Sequence, residues 1–157
     1  MRFGANPLLS GIAIALLLTF GCRTAPKAAP VDLSQPGWQL RQGQALWRSK
    51  RESPEIAGEV VLAVNQNGRS FLQFLKNPLP LLSADVGPDD WHIEFIPEKR
   101  NFSGRGIPPK RLLWLHLLRA LQQMPLPRDL DFRKDDDGAF HIENPRTGER
   151  ITVVLNG

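Results

Sequence analysis

The 157-residue chain has no tyrosine and a single cysteine, Cys22. One cysteine cannot close an internal disulfide, so no covalent cross-link supports the fold and the thiol calls for another explanation. Charge of one sign is not in excess either. Twenty basic residues stand against 16 acidic ones, interspersed, with no basic stripe of the kind nucleic-acid binding needs. The longest apolar run, Leu8 to Phe20, is broken by Ser10 and Gly11 and falls short of the roughly twenty residues that cross a bilayer. Motifs of catalysis are missing: there is no Gly-x-Ser-x-Gly, no phosphate-cradling glycine loop and no paired histidine spacing. His92, His116 and His141 fall in separate segments, and His92 and His141 alternate with apolar neighbours as solvent-facing strand residues do. Asp135-Asp136-Asp137-Gly138 has Arg133 at the first ligand place of a calcium loop and no glutamate at the last, so it reads as a hairpin turn. No enzyme activity, metal or cofactor is expected.

What is present begins with Met1-Arg2, the apolar run, and an abrupt change to Arg, Thr, Pro and Lys after LLLTFGC. That is the shape of an export signal. The Gly21-Cys22 junction resembles a bacterial lipoprotein signal, in which the cysteine is acylated and becomes the first residue of the mature protein. Thr19 and Gly21 also suit the small-residue rule of the ordinary secretory peptidase, so both processing routes stay open. Each buried methylene of an acyl chain contributes about 0.8 kcal/mol, and two or three chains on Cys22 would hold the protein to the membrane. Arg23 follows the cysteine where, by resemblance to enteric sorting rules, an aspartate would retain a lipoprotein in the inner membrane. The expected location is the outer membrane, lipid-anchored and facing the periplasm.

From Arg23 to Gly37, RTAPKAAPVDLSQPG is rich in Pro and Ala without helical or strand periodicity, and reads as a tether that extends to roughly 45 Å at about 3 Å per residue. The organisation is then a signal over 1–21, an acylated cysteine and tether over 22–37, and one domain over 38–157. Within the domain, WQLRQGQALWR with an irregularity at Gly43, GEVVLAVNQ, RSFLQFL, DWHIEFI, LDFRK, AFHIE and RITVVL read as strands separated by turn residues. Their connections are too short for crossovers, so the sheet is antiparallel. PPKRLLWLHLLRALQQMPLP reads as a helix between prolines, with Leu113, Leu117, Leu121 and Met124 on one stripe, Leu112, Trp114 and Leu118 widening it, and His116, Arg119 and Gln123 opposite. Such a helix is either ordinary core on the concave face of a curved sheet or a lid over an apolar hollow.

The antiparallel meander, the strand that runs into Asn77-Pro78-Leu79 in RSFLQFLKNPLP, and a Leu- and Trp-bearing helix ending at MPLP resemble the LolB-like outer-membrane lipoprotein receptors and their periplasmic carrier relatives. Pro80 stands where that family has glycine, and the shorter chain must lose strands. The resemblance implies a mainly β fold with one helix, a curved antiparallel sheet forming an incomplete β-barrel with a helical lid. It implies a monomer whose hollow receives acyl chains of lipoproteins or lipid, delivered by a periplasmic carrier protein, and passes them to the membrane without covalent chemistry. The hollow would be lined by Val60, Leu62, Val64, Leu72, Phe74, Trp91, Ile93 and Phe95, with Leu113, Trp114 and Leu117 from the lid. Leu79 matches the family's exposed membrane-insertion leucine, and Leu81 and Leu82 would extend that tip; the bland alternative turns these leucines inward. Lying between two prolines, Leu79 is expected in a loop. The competing function is a structural or interaction lipoprotein of the cell envelope, with a filled β core and no lipid cavity.

Overall fold

The computed structural model describes residues 31–156; the signal segment, Cys22 and the first part of the tether lie outside the described residues. The strands are β1 (Trp38–Arg48), β2 (Ile56–Asn65), β3 (Ser70–Lys76), β4 (Leu79–Val86), β5 (Asp90–Phe95), β6 (Arg100–Arg105), β7 (Asp131–Lys134), β8 (Phe140–Asn144) and β9 (Glu149–Leu155), with one helix, α1 (Leu113–Leu121), between β6 and β7. They form a single sheet of nine strands in the order β6-β5-β4-β3-β2-β1-β9-β8-β7. All neighbours pair antiparallel, and β6 and β7 remain free edges, so the sheet is an open, curved one rather than a closed barrel.

Period-two alternation sends Val60 and Leu62 of β2, Leu72 and Phe74 of β3, Ile93 of β5, Ile142 of β8 and Ile151 and Val153 of β9 to one buried face. The same helix touches β3 and β4 on one side and β8 and β9 on the other. In a flat sheet with strands about 4.8 Å apart, β4 and β8 would stand farther apart than the roughly 10–12 Å width of a helix. The sheet must therefore curl around α1. Gly43 permits part of this: a Cβ there would stand 2.0 Å from the Val154 carbonyl oxygen, and pairing with β9 runs only from Gly43 onward. β1 itself continues without a break across the position.

The helix is shorter than its sequence signature. Pro108 and Pro109 lie outside it, in a turn closed by Leu112 N–H donating to the Pro109 carbonyl at 2.9 Å. At the other end Gln123 takes φ 59°, and Met124 N–H donates back to the Arg119 carbonyl at 2.8 Å, a Schellman-type stop. The proline-bearing flanks then fold over the outer side of the helix. His116 and Arg119, expected to face water, are buried: a ring nitrogen of His116 meets the Pro109 carbonyl at 3.3 Å, and Arg119 donates to the Pro125 carbonyl at 3.2 Å. Burial lowers the His116 pKa. The helix is covered on both sides, which the amphipathic pattern alone did not anticipate.

Two strands are weak in the sequence. β4 was legible only as the strand start that would turn the Leu79 to Leu82 leucines inward, obscured by its prolines and a leucine run that does not alternate, and β6, RNFSGR, was missed, carrying a single large apolar residue because it is a polar edge strand. No helix among the described residues is long and apolar enough to cross a membrane.

Candidate functional site

Strand register gathers one set of residues at one end of the sheet. Trp47 stands opposite Ile56 and Ile151, Lys76 opposite Leu79, Phe95 opposite Arg100, and Asn144 opposite Glu149. This end, here termed the mouth, holds the β3–β4, β5–β6 and β8–β9 hairpins. Trp38, which follows the tether, pairs with Asn65 at the opposite end. The mouth carries the cations Arg48, Lys76, Lys99, Arg100, Arg111 and Arg146 beside Glu52, Glu55, Glu98 and Glu149, whereas Asp85, Asp89, Asp90 and Asp135 to Asp137 lie toward the other end. There Arg69 donates two hydrogen bonds to Asp85, at 2.8 and 2.9 Å, a bidentate pair that holds the β2–β3 turn to β4.

The β3–β4 hairpin turns through Asn77-Pro78, whose peptide bond is cis. Leu79 is not in a loop: it is the first residue of β4 and pairs with Lys76. It is nonetheless 65% exposed, the joint largest exposure of any big apolar side chain in the described residues. A register shift follows, with Leu75 opposite Pro80 and Phe74 opposite Leu82, so that Leu81 is the extra residue of a bulge. The bulge turns Leu82 fully inward and leaves Leu81 half-buried against the core. The expected apolar tip thus reduces to Leu79.

The expected hollow is closed in this structure. Leu72, Phe74, Ile93, Leu113, Trp114 and Leu117 are 0–1% exposed, and side chains that a water-sized sphere does not reach line no space for an acyl chain. Val60, Leu62 and Trp91 are also buried, and Val64 and Phe95 are partly so. The space beneath the helix is filled largely by the Trp114 ring, 5.0 Å from Phe74 and 6.0 Å from Trp47.

From that buried pair a chain of rings runs outward to the mouth: Trp47 lies 6.3 Å from Phe74 and 6.4 Å from Phe95, and Phe95 lies 6.4 Å edge-on from Phe102. Trp47, Phe95, Phe102 and Leu112 wall a cleft of about 240 Å³. Glu149 faces into it, only 8% exposed. One carboxylate oxygen accepts a hydrogen bond from the Trp47 indole at 3.1 Å. Burial pushes the carboxyl pKa up to about 7, and the Trp47 bond offsets part of the rise. Glu98, Arg100 and Arg111 stand at the rim. Arg100 pairs with Glu98 at 3.0 Å, and the Arg100 and Arg111 guanidinium groups lie 5.3 and 5.7 Å from the Phe102 ring centre. A second open groove of about 510 Å³ adjoins it, with Lys110, Arg111 and Arg146 in its walls.

Of the residues expected from sequence, Phe95 borders this cleft; Trp47, Phe102, Arg111, Leu112 and Glu149 were missed. Parity was the available signal. Glu149 shares the inward side of β9 with Ile151 and Val153, and Trp47 that of β1 with Ala45. Elsewhere, His141 bridges Thr152 Oγ1 at 3.0 Å and Asp135 at 2.8 Å on the outer face of the sheet, away from the mouth. No cluster of three or more metal-ligating side chains occurs among the described residues. No protein-family model matches the chain, and no curated protein does.

Proposed function

We propose that this chain is an outer-membrane lipoprotein of LolB-like kind, anchored through Cys22, which handles the acyl chains of lipoproteins or lipid at its mouth and helps pass them into the membrane. The observation that carries this reading is the placement of Leu79: an isolated exposed leucine on a hairpin tip, at the same end as an aromatic cleft and a set of cationic side chains. Leaving it in water forgoes about 2 kcal/mol of transfer energy that a bilayer or an acylated cargo would supply, and the surrounding cations favour an anionic surface.

Chain uptake into the interior would require α1 to move. In its favour, the helix is one of nine residues on which Trp114 Nε1, His116 Nδ1 and Arg119 Nε are buried without a hydrogen-bond partner, and each such atom costs about 1–3 kcal/mol. The close-packed core beneath the helix favours the second reading, a structural or interaction lipoprotein of the envelope. Uptake of a fluorescent fatty-acid probe separates the two, since only the first includes it.

Leu79→Glu is expected to leave the melting temperature within a few degrees of wild type and probe uptake intact, while blocking delivery of a lipoprotein into liposomes. A large loss of stability, or unimpaired delivery, would remove the residue on which the carrier reading rests. Cys22→Ser is expected to release a soluble periplasmic protein. Metabolic fatty-acid labelling checks the anchor directly: wild type without label would refute it.

A further inference from the structure

Glu149 is an expensive residue in its place. The residue is only 8% exposed, and one carboxylate oxygen is held by Trp47. The other oxygen is left for the cleft that the side chain lines. Trp47, Phe95 and Phe102 line the same cleft, and the faces of aromatic rings attract cations. Two guanidinium groups already lie over Phe102 from the rim. Arg111 makes no ion pair among the described residues. A carboxyl inside an aromatic pocket faces a rim of two guanidinium groups, Arg111 without an ion pair and Arg100 shared with Glu98, so the cleft is negative within and carries a net positive charge at the entrance.

We propose that the mouth cleft is a headgroup site for a zwitterionic phospholipid, with the ammonium received by Glu149 and the aromatic walls and the phosphate by Arg111 and Arg100 at the rim. At about 240 Å³ the cleft lies below the 300–1,000 Å³ common for drug-sized ligands, which suits a head without its chains. A head that enters ammonium first keeps its phosphate at the rim and its acyl chains outside, in the bilayer. The mouth then grips the membrane surface at the same end that presents Leu79. This rests on the reading of the mouth as the membrane-facing end and names what it holds there.

An ammonium partner requires the ionised form of Glu149, so binding strengthens as pH rises through the range in which that carboxyl loses its proton. The charged groups around it are Glu98 and Arg100 of the β5–β6 hairpin, Arg111 ahead of α1, and Arg48 of β1, which donates to the Gly148 carbonyl at 3.2 Å.

The test uses the full mature chain carrying Cys22→Ser, so that no acyl anchor contributes, and soluble glycerophosphoethanolamine, which has the head and no chains. Titration followed by the Trp47 indole N–H resonance is expected to saturate. Affinity should be at least tenfold weaker for ethanolamine alone or glycerol phosphate alone, and roughly tenfold weaker at pH 6 than at pH 8. Glu149→Gln, which keeps the shape and the acceptor for Trp47, should lose at least tenfold and flatten the pH dependence; Arg111→Gln should lose a similar factor at every pH. At equal phosphatidylglycerol content, vesicles whose remaining lipid is phosphatidylethanolamine should sediment more protein than vesicles whose remaining lipid is an uncharged glycolipid. Equal binding of glycerol phosphate, an unchanged Glu149→Gln variant, or equal sedimentation by the two vesicles would overturn the proposal in favour of plain electrostatic attraction. Head binding retained by Glu149→Gln, with lipoprotein delivery intact, would overturn this site alone, whereas head binding by the wild type without any delivery would uphold the site and remove the carrier function.

Discussion

Leu117→Asp is expected to abolish the cooperative unfolding transition of the domain, not merely the binding of an acyl chain. Leu117 has none of its surface exposed and lies with Leu113, Trp114 and Leu118 on the buried face of α1. Shortening it to alanine would already cost about 2–5 kcal/mol through lost burial and the void left behind. An aspartate adds an unpaired carboxyl in apolar surroundings, at several kcal/mol more. A domain of this size has a total stability of about 5–15 kcal/mol, so the sum reaches a large part of it. The measurement is a thermal melt followed by circular dichroism. A variant that melts like wild type yet no longer takes up a fluorescent fatty acid would show instead that α1 is a lid over a space able to open.

Glu149→Gln has the next largest expected effect, and it depends on pH. The folded-state carboxyl pKa is raised from 4.5 to about 7, so the folded protein holds this proton more tightly than the unfolded chain does. The stabilising contribution is fully present below pH 4.5 and is lost as pH rises through 7. At about 1.4 kcal/mol per pH unit, the loss between those limits is about 3 kcal/mol. His116 acts in the opposite sense: its pKa is lowered by burial, so its contribution is present above 6.5 and lost as pH falls. The two partly cancel between pH 4.5 and 6.5 in the wild type. Comparing urea unfolding of Glu149→Gln with wild type at pH 4.5 and pH 8 isolates Glu149, because His116 is common to both. The variant should gain up to about 3 kcal/mol relative to wild type on going to the higher pH; a difference independent of pH would show that Glu149 ionises normally.

Much of the sheet was legible because its strands carry their own signals. β5 and β8 alternate apolar and polar residues, and β2, β3 and β9 are short runs rich in β-branched and aromatic residues, between turns such as Asn65–Arg69, where Gly68 takes φ 84° and donates to the Asn65 carbonyl at 3.1 Å. β6 had no such signal, since an edge strand need not bury a face. For Leu79 the sequence left both an exposed tip and an inward turn open; the side chain is exposed, and the residue, contrary to expectation, does not leave the ladder. Proline at 78 removes a donor only in the turn, and the bulge at Phe74/Leu75 accommodates Pro80 against Leu75. The site was less legible than the fold. Glu149 lies at the end of NPRTGE, a stretch that reads as a turn, and its inward parity becomes visible only once β9 is known to start there.

The sequence by itself determined an antiparallel, mainly β domain with a single helix between prolines, because alternation, turn chemistry and proline stops are local properties of the chain. It also raised the expectation of an export leader ending at the lone cysteine. Only the tertiary structure decided that the space under the helix is filled, that His116 and Arg119 are covered by the flanking prolines, and that Trp47, Phe102, Arg111 and Glu149 meet in one cleft. These are contacts between β1, the β5–β6 hairpin, the segment ahead of α1 and β9, remote in sequence and brought together when the sheet curls around the helix. How completely side chains fill a concave face depends on that curvature, and no periodicity within a single strand reports it.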